Sequence, residues 1–580
     1  MNRSIAWGSV SLAIRMSSLF LSVSLLLGQA PSGSSPSVAN RAAGPSAAVR
    51  PARNSGTPKE GELVKAVKER DSEAVRSLLK QHVDVNVPQA DGATALAWAV
   101  YWDDLETAEL LIRASANVNA ANDYGVTPLS LACTNGNTAM IERLLAAGAN
   151  ANAAQWTGET PLMTCARGGN VEGVKSLLAR GADVNAKETR RGQTPLMWAV
   201  VQKHPEVTRV LIDHGASVNA KSHPLPDFQP ITYAVYGANR RVPGTLARLD
   251  PVDASSEAAS PGGGFTPLMF AARAGDLDSA RMLLAAGANV NETTPKNGNA
   301  LVIASASGHE ALAILLLEHG ADSNAVDARG VTALHYAVRM GMEAINGVPL
   351  KSSRLPWPDM PYLVKALLAH GANPNARIAI EYPFSSDAYF VPSIGVAGAT
   401  PFFLAAAAAD VEVMRALVAG GADPWLATKE NTTPLMVAAG VGRVEDRSEE
   451  ETKKALEAVK LAVELGSDVN ATNDLGKTAL HGAAFTGANA IIQFLVEKGA
   501  KLDTKNIFGE TALIIALGDP DQMVSLYRAK YGGSVRAGDI VHVIHNSSAE
   551  LLLKLGATPL NSQAATLASK PESVATPATK

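Results

Sequence analysis

Along Asn122 to Ala153, NDYGVTPLSLACTNGNTAMIERLLAAGANANA, apolar residues fall in two short bursts at helical spacing, with small and polar residues between them. The first burst opens at Thr127-Pro128-Leu129. A threonine hydroxyl caps a helix, proline suits the first turn where no amide donor is needed, and Leu129 begins the buried face. Ala132 and Cys133 are small enough to let a neighbouring helix approach closely, and Gly136 with Asn137 ends the segment in a tight turn. The second burst, Met140, Ile141, Leu144 and Leu145, runs at helical spacing until Gly148 stops it. Asn150 and Asn152 then favour a hairpin-shaped loop. The pattern predicts helix, turn, helix, loop.

The same phrase returns with a period of 33. It begins at Thr94, Thr127, Thr160, Thr194, Thr266, Thr332, Thr400, Thr433, Thr478 and Thr511, with degenerate copies at Gln229 and Asn299. A module of this size cannot bury its own apolar face, so neighbours must stack into one continuous core. Glu62 to Gln81 reads as an amphipathic capping repeat at the start of the stack. These residues, with the endings GADVNA at Gly181 to Ala186 and GANPNA at Gly371 to Ala376, resemble the ankyrin repeat over roughly Gly61 to Pro559. The resemblance implies an all-α, curved solenoid of about a dozen helix-turn-helix modules, with a concave face that binds partner proteins and usually no catalysis.

Interruptions divide the chain further. Residues 59–237 form a first block of repeats, 238–264 an irregular insertion, and 265–560 a second block. The insertion lacks an LLxxGA phrase, so the second helix is expected to be lost there and the seam between blocks to be weak. Insertions at 342–360 and 442–454 share its phase, after the first helix of a module. A fourth, 377–399, enters the hairpin loop and carries Tyr382, Phe384, Tyr389 and Phe390. These rings either anchor a partner or fold back over their own module.

The ends read differently. Arg3 and Arg15 precede the apolar run Met16 to Leu27, so residues 1–30 look like a signal peptide. Pro31 obstructs cleavage after Ala30; cleavage falls further on, or the helix stays as a membrane anchor. The expected setting is the bacterial periplasm or the medium. Residues 31–58 and 561–580, unordered mixtures of Pro, Ser, Ala, Gly and Thr, are expected to be disordered linker and tail. The charge is nearly balanced, 51 basic against 55 acidic side chains for a net −4, and no basic run marks a nucleic-acid footprint.

Signals of catalytic chemistry dissolve into the repeat. Gly476-Lys477-Thr478 ends like a phosphate loop, but Ala471 stands where a glycine is required and Thr478 is on the capping phase. His309-Glu310 begins like a zinc-protease helix, but Ala313 replaces the second histidine. His214, His319 and His370 share one place before the glycine that ends a second helix, where the dipole favours an imidazolium. His335 and His481 read as structural hydrogen-bonders. Cys133 and Cys165 occupy small buried positions and are read as two thiols. No catalytic residue, cofactor or metal is assigned.

Binding positions follow from the ankyrin resemblance, which implies a surface made of turn tips and of the residue after the small pair in the first helix. The tips supply Asp91, Tyr124, Trp156, Glu159, Arg190, Arg191, Arg329 and Phe508. The helices supply Tyr101, Arg167, Arg273, Arg339 and Phe485. Aromatic and arginine side chains are those that dominate protein interfaces. The expectation is an exported scaffold that binds a protein partner, with neither nucleic acid nor small-molecule substrate, and membrane contact only through an uncleaved leader. A secreted effector acting on a foreign cell, and an enzyme with a site between the inserted loops, are the alternatives.

Overall fold

The computed structural model describes residues 58–223, 263–338, 340–341, 360–379, 395–443, 447–518 and 544–559. They carry 24 helices and almost no sheet. In chain order the helices are α1 Pro58–Lys68, α2 Ser72–Lys80, α3 Ala95–Tyr101, α4 Leu105–Arg113, α5 Pro128–Asn135 and α6 Thr138–Ala146. Next come α7 Pro161–Gly168, α8 Val171–Ala179, α9 Pro195–Val201, α10 Pro205–Asp213, α11 Pro267–Ala274 and α12 Leu277–Ala285. Then follow α13 Ala300–Ala306, α14 Glu310–Glu318, α15 Ala333–Ala337, α16 Pro361–Ala369, α17 Pro401–Ala408 and α18 Val411–Ala419. The last are α19 Pro434–Ala439, α20 Glu449–Glu464, α21 Ala479–Phe485, α22 Asn489–Glu497, α23 Ala512–Leu517 and α24 Asn546–Lys554. The only strands among the described residues, β1 Thr293–Thr294 and β2 Gly298–Asn299, pair antiparallel within one hairpin loop.

Odd-numbered helices pack on the neighbouring odd ones and even-numbered on even, which makes a two-layer ankyrin solenoid. Odd helices lie between two neighbours and their own partner, so most of their side chains are buried, as with Leu129, Ala132 and Cys133 of α5. Even helices bury one stripe, Met140, Ile141, Leu144 and Leu145 in α6. The threonine that opens each phrase behaves as its sequence foretells. Thr127 Oγ1 accepts the amide of Ser130 and Thr160 that of Met163, and Asn299 does the same for Val302. At Thr478 the partner is His481, whose backbone and ring close a capping box; the hydroxyl is buried in that box, with no room to cradle phosphate.

Three sets of hydrogen bonds tie successive repeats. In the first half of most loops an asparagine reaches the next repeat twice. Asn152 Nδ2 donates to Gly181 O at 2.8 Å, and the Asp183 amide donates to Asn152 Oδ1 at 2.7 Å. At the tips one backbone bond joins consecutive loops, as from Trp156 N to Tyr124 O at 3.1 Å. At the helix turns a side chain reaches back, Asn170 Nδ2 to Gly136 O at 2.9 Å or His309 Nε2 to Arg273 O at 3.2 Å. The His309 ring lies over Gly275, where φ is +70° and an added Cβ would stand 2.5 Å from the ring, so only glycine fits.

The described helices on either side of residues 224–262 pack directly on each other. α9 packs on α11 and α10 on α12. Asn219 makes the same two bonds found elsewhere, to Gly287 O at 3.1 Å and from Asn289 N at 2.8 Å. Lys221 adds an ion pair to Glu292 at 2.6 Å. The seam where weakness is expected thus keeps the asparagine pair of junction bonds, and the degenerate copy at Gln229 lies outside the described residues. Within 442–454 the structure departs from a plain insertion. α20 starts at Glu449 and runs for 16 residues, because Ser448 and Glu451 form a reciprocal capping box. The stretches 1–57, 342–359 and 560–580 lie outside the described residues, as do residues 380–394 of the fourth interruption.

His335 and His481 are buried in capping boxes. In each, Nδ1 accepts a threonine amide, at 3.2 Å from Thr332 and 3.0 Å from Thr478. Nε2 donates to a carbonyl of the next repeat, Ala399 at 3.3 Å or Glu510 at 3.1 Å. Burial pushes both imidazoles down to about 4 from 6.5. An unfolded imidazole near 6.5 therefore takes up a proton before the folded one does, so acid favours unfolding between those values. Stability is fully present above pH 6.5 and falls as pH drops toward 4, by on the order of 3 kcal/mol per histidine. The melting temperature, followed by circular dichroism from pH 7 to pH 4.5, is expected to drop. The fall is expected to be shallower in the double variant His335→Gln, His481→Gln; an equal slope would contradict the assignment. Replacing Asn152 with Ala removes both junction bonds and is expected to cost about 1 to 3 kcal/mol in denaturant titration.

Candidate functional site

The tips and the C-terminal ends of the odd helices form one surface whose side chains escape the repeat's packing rules. Asp91 is exposed; its carboxylate accepts the Ala93 amide at 3.0 Å and its carbonyl that of Asp123, so its part in the tip is structural. Tyr124 and Trp156 are 45% and 75% exposed on adjacent tips that share a backbone bond. Tyr101 stands edge-on between Trp98 and Trp102, at 5.4 and 5.0 Å between ring centroids, and Lys68 Nζ lies 4.5 Å over Trp98.

Farther along, Arg167 at the end of α7 reaches its own tip. Its guanidinium is 3.4 Å from Glu159, which also accepts the Thr164 hydroxyl at 2.9 Å, and it lies 5.0 Å over the Trp198 ring of α9. Arg190 and Arg191 are exposed on the next tip, where the buried Glu188 accepts their amides at 2.7 and 2.6 Å. Arg273 on α11 is half-buried. Burial, and then the Arg191 guanidinium, hold its pKa below the usual value. Arg329 is half-buried, its amide held by Asp327 and its carbonyl by Ala379. Phe485 and Phe508 are half-buried at the far end. Arg339, Tyr382, Phe384, Tyr389 and Phe390 lie outside the described residues.

Tyr101, Arg167, Arg191 and Trp198 thus belong to a run of consecutive tips and helices, whereas Phe485 and Phe508 belong to repeats near the other end of the chain. Two tryptophans were not foreseen. Trp198, four residues after Thr194, is the platform under Arg167, and its buried Nε1 has no acceptor. Trp425, 60% exposed, takes the place of the junction asparagine and donates Nε1 to Leu465 O at 3.0 Å. The departure DPWLA from the usual ending was the readable signal for the second. A pocket of about 250 Å³ beside it is lined by Thr433, Gly466, Ser467, Asp468 and Ala471. That is below the roughly 300 to 1,000 Å³ of a small-molecule site.

His214, His319 and His370 each bond their own helix end through Nδ1, to Val210 O, Leu315 O and Ala366 O at 2.8, 2.8 and 3.0 Å. No group of His, Cys, Asp and Glu able to hold a metal occurs among the described residues. No helix among them is long and apolar enough to cross a membrane. Cys133 and Cys165 are buried free thiols in the neighbouring helices α5 and α7. Burial, and then the adjoining Cys165, push the Cys133 pKa well up.

Family comparison agrees with this architecture. Residues 63–155, 148–222, 268–348 and 451–531 match the family model for ankyrin repeats in three copies, and residues 329–378 match the single ankyrin repeat. Together the matches cover more than half of the chain, which therefore belongs to the ankyrin-repeat family. The chain is 27% identical over 267 residues to the E3 ubiquitin-protein ligase KEG of Arabidopsis thaliana, covering 44% of this chain and 16% of that one. It is 31% identical over 194 residues to the B-cell lymphoma 3 protein homolog of Mus musculus, covering 30% and 39%. It is 29% identical over 119 residues to a transient receptor potential cation channel subfamily A member 1 homolog of Caenorhabditis elegans, covering 20% and 9%. The chain thus spans well under half the length of each of these relatives. Ankyrin repeats suggest protein partners, and the family is generally non-enzymatic.

The thiol burial is directly measurable. A water-soluble aromatic disulfide reagent is expected to release its chromophore slowly with the native chain and rapidly, for two thiols, once denaturant unfolds it. Rapid reaction of both in the native chain would contradict the packing of α5 on α7.

Proposed function

We propose that this chain is an exported, non-catalytic scaffold that binds a protein partner through its tips and odd-helix ends. One observation carries the reading: Tyr124 and Trp156 hold large exposed rings on neighbouring tips whose backbones are bonded to each other. Aromatic side chains on fixed backbones lose little freedom on binding and bury large area. The leader-like residues 1–30 support export, and the position of Tyr382, Phe384, Tyr389 and Phe390 in a tip loop by sequence supports adding them to the same surface.

Photoreactive benzoylphenylalanine placed separately at positions 124 and 156 is expected to capture the same partner from cell-envelope fractions. The same group at Lys175, on the exposed side of α8, is expected to capture nothing of that mass. Trp156→Ser should weaken the captured complex at least about tenfold while the melting temperature holds. Capture through position 175 alone would move the site to the even helices, and recovery of the chain only in the cytosol would remove export from the reading.

A further inference from the structure

We infer that the surface shared by α7, α9 and α11 takes an acidic segment of a protein partner, an extended stretch carrying several Asp or Glu side chains. This rests on the reading that the tips and odd-helix ends are the binding face, and adds the chemistry of what binds there.

The patch has a surplus of hydrogen-bond donors and positive charge. Arg190 and Arg191 on the tip and Arg273 on α11 make no ion pair among the described residues, although such pairs occur elsewhere on the chain. The carboxylates of Glu188 and Glu159 are already engaged, and that of Asp276 is engaged through one oxygen. Glu188 is buried and accepts the amides of Arg190, Arg191 and Gln193 at 2.7, 2.6 and 3.0 Å. Glu159 is held by the Thr164 hydroxyl and by Arg167. Asp276 caps α12 by accepting the Ser279 amide at Oδ1, while its buried Oδ2 has no partner among the described residues. Against that one oxygen stand the guanidiniums and the Trp198 indole N–H, a buried donor with no acceptor among the described residues.

Arg273 is partly withdrawn from water, and the Arg191 guanidinium also disfavours its charge. A carboxylate between them would relieve the repulsion and accept charge-assisted bonds from both, which are shorter and stronger than neutral ones. The tip backbone is fixed by its bonds to the neighbouring loops, including His223 N to Arg191 O at 2.6 Å, so the guanidiniums are presented from a set position. A single carboxylate cannot reach all of Arg190, Arg191, Arg273 and Arg167, which lie on three consecutive repeats. An extended acidic segment can.

The test uses the full chain and a fluorescein-labelled peptide of about twelve glutamates, read by fluorescence anisotropy at about 50 mM NaCl. Saturable binding is expected, weakening about tenfold at about 300 mM NaCl, where charge interactions across the patch are screened. Arg191→Glu with Arg273→Glu is expected to weaken it at least about tenfold, and Arg209→Glu on α10 to leave it within about twofold. Should the double reversal lower the melting temperature, Arg191→Gln with Arg273→Gln serves the same purpose without introducing negative charge. Absence of saturable binding, or affinity unchanged in both double variants, would overturn the inference. So would displacement of the peptide by oligothymidylate more readily than by unlabelled glutamate peptide, which would mark a nucleic-acid surface. Partner capture from positions 124 and 156 together with no glutamate binding would end this inference while leaving the scaffold reading intact.

Discussion

A single asparagine side chain, placed two bonds deep into the next repeat, sets the register on which everything else rests. Apolar burial supplies most of the stacking free energy, but it is non-directional and tolerates sliding. The asparagine does not. Its amide nitrogen must meet a glycine carbonyl, and its oxygen a backbone amide two residues further on, as Asn324 does with Gly371 and Asn373. Both groups would otherwise need water or an alternative partner, so the pair of bonds selects one alignment of neighbouring repeats. Trp425 shows what the constraint permits. It keeps the donor half through Nε1 and substitutes ring area for the acceptor half.

That arrangement explains why long interruptions leave the stack undisturbed. The junction bonds come from fixed places in each module, at the tip, the helix turn and the first half of the loop. Residues added elsewhere need not alter them. Asn219 therefore meets Gly287 across 68 residues of sequence as Asn152 meets Gly181 across 29. Loop closure over the longer span costs little more than over the shorter, because the entropy grows only logarithmically with length. The same logic confines variation to side chains that take no part in the junctions. The Tyr124 and Trp156 rings and the Arg190 and Arg191 guanidiniums are among these, although their backbones are tied to the neighbouring tips.

The fold was legible because its signals are local. Threonine, proline and glycine act within a turn of where they stand, and a period of 33 repeats the lesson many times. The start of α20 was equally local, in Ser448 and Glu451, but was obscured because the stretch was read as a break in phase. The candidate site was legible only as a set of positions. That Arg167 would lie over Trp198, or that Glu188 would turn inward and leave Arg190 and Arg191 without a carboxylate, depends on contacts between modules that no single repeat specifies. The packing across the long insertion was hidden for the same reason. A missing helix phrase reads as a gap along the chain, yet α10 and α12 close it in space.

Net charge is also a poor guide here, and the reason is structural. The formal −4 counts every carboxylate as though it had no partner within the fold. Many have one. Asp71, Asp104, Asp276 and Asp410 each cap an even helix by accepting a backbone amide, and Asp183 and Asp322 accept amides within their loops. Carboxylates are the repeat's local fasteners, because the chain must satisfy the amides at its many helix starts and turns. Guanidiniums have no such duty, since helix starts and loop amides call for acceptors and arginine has none. An ankyrin surface can therefore present positive charge at its tips while the chain as a whole is acidic. The charge that matters for recognition is the fraction that the fold leaves unengaged.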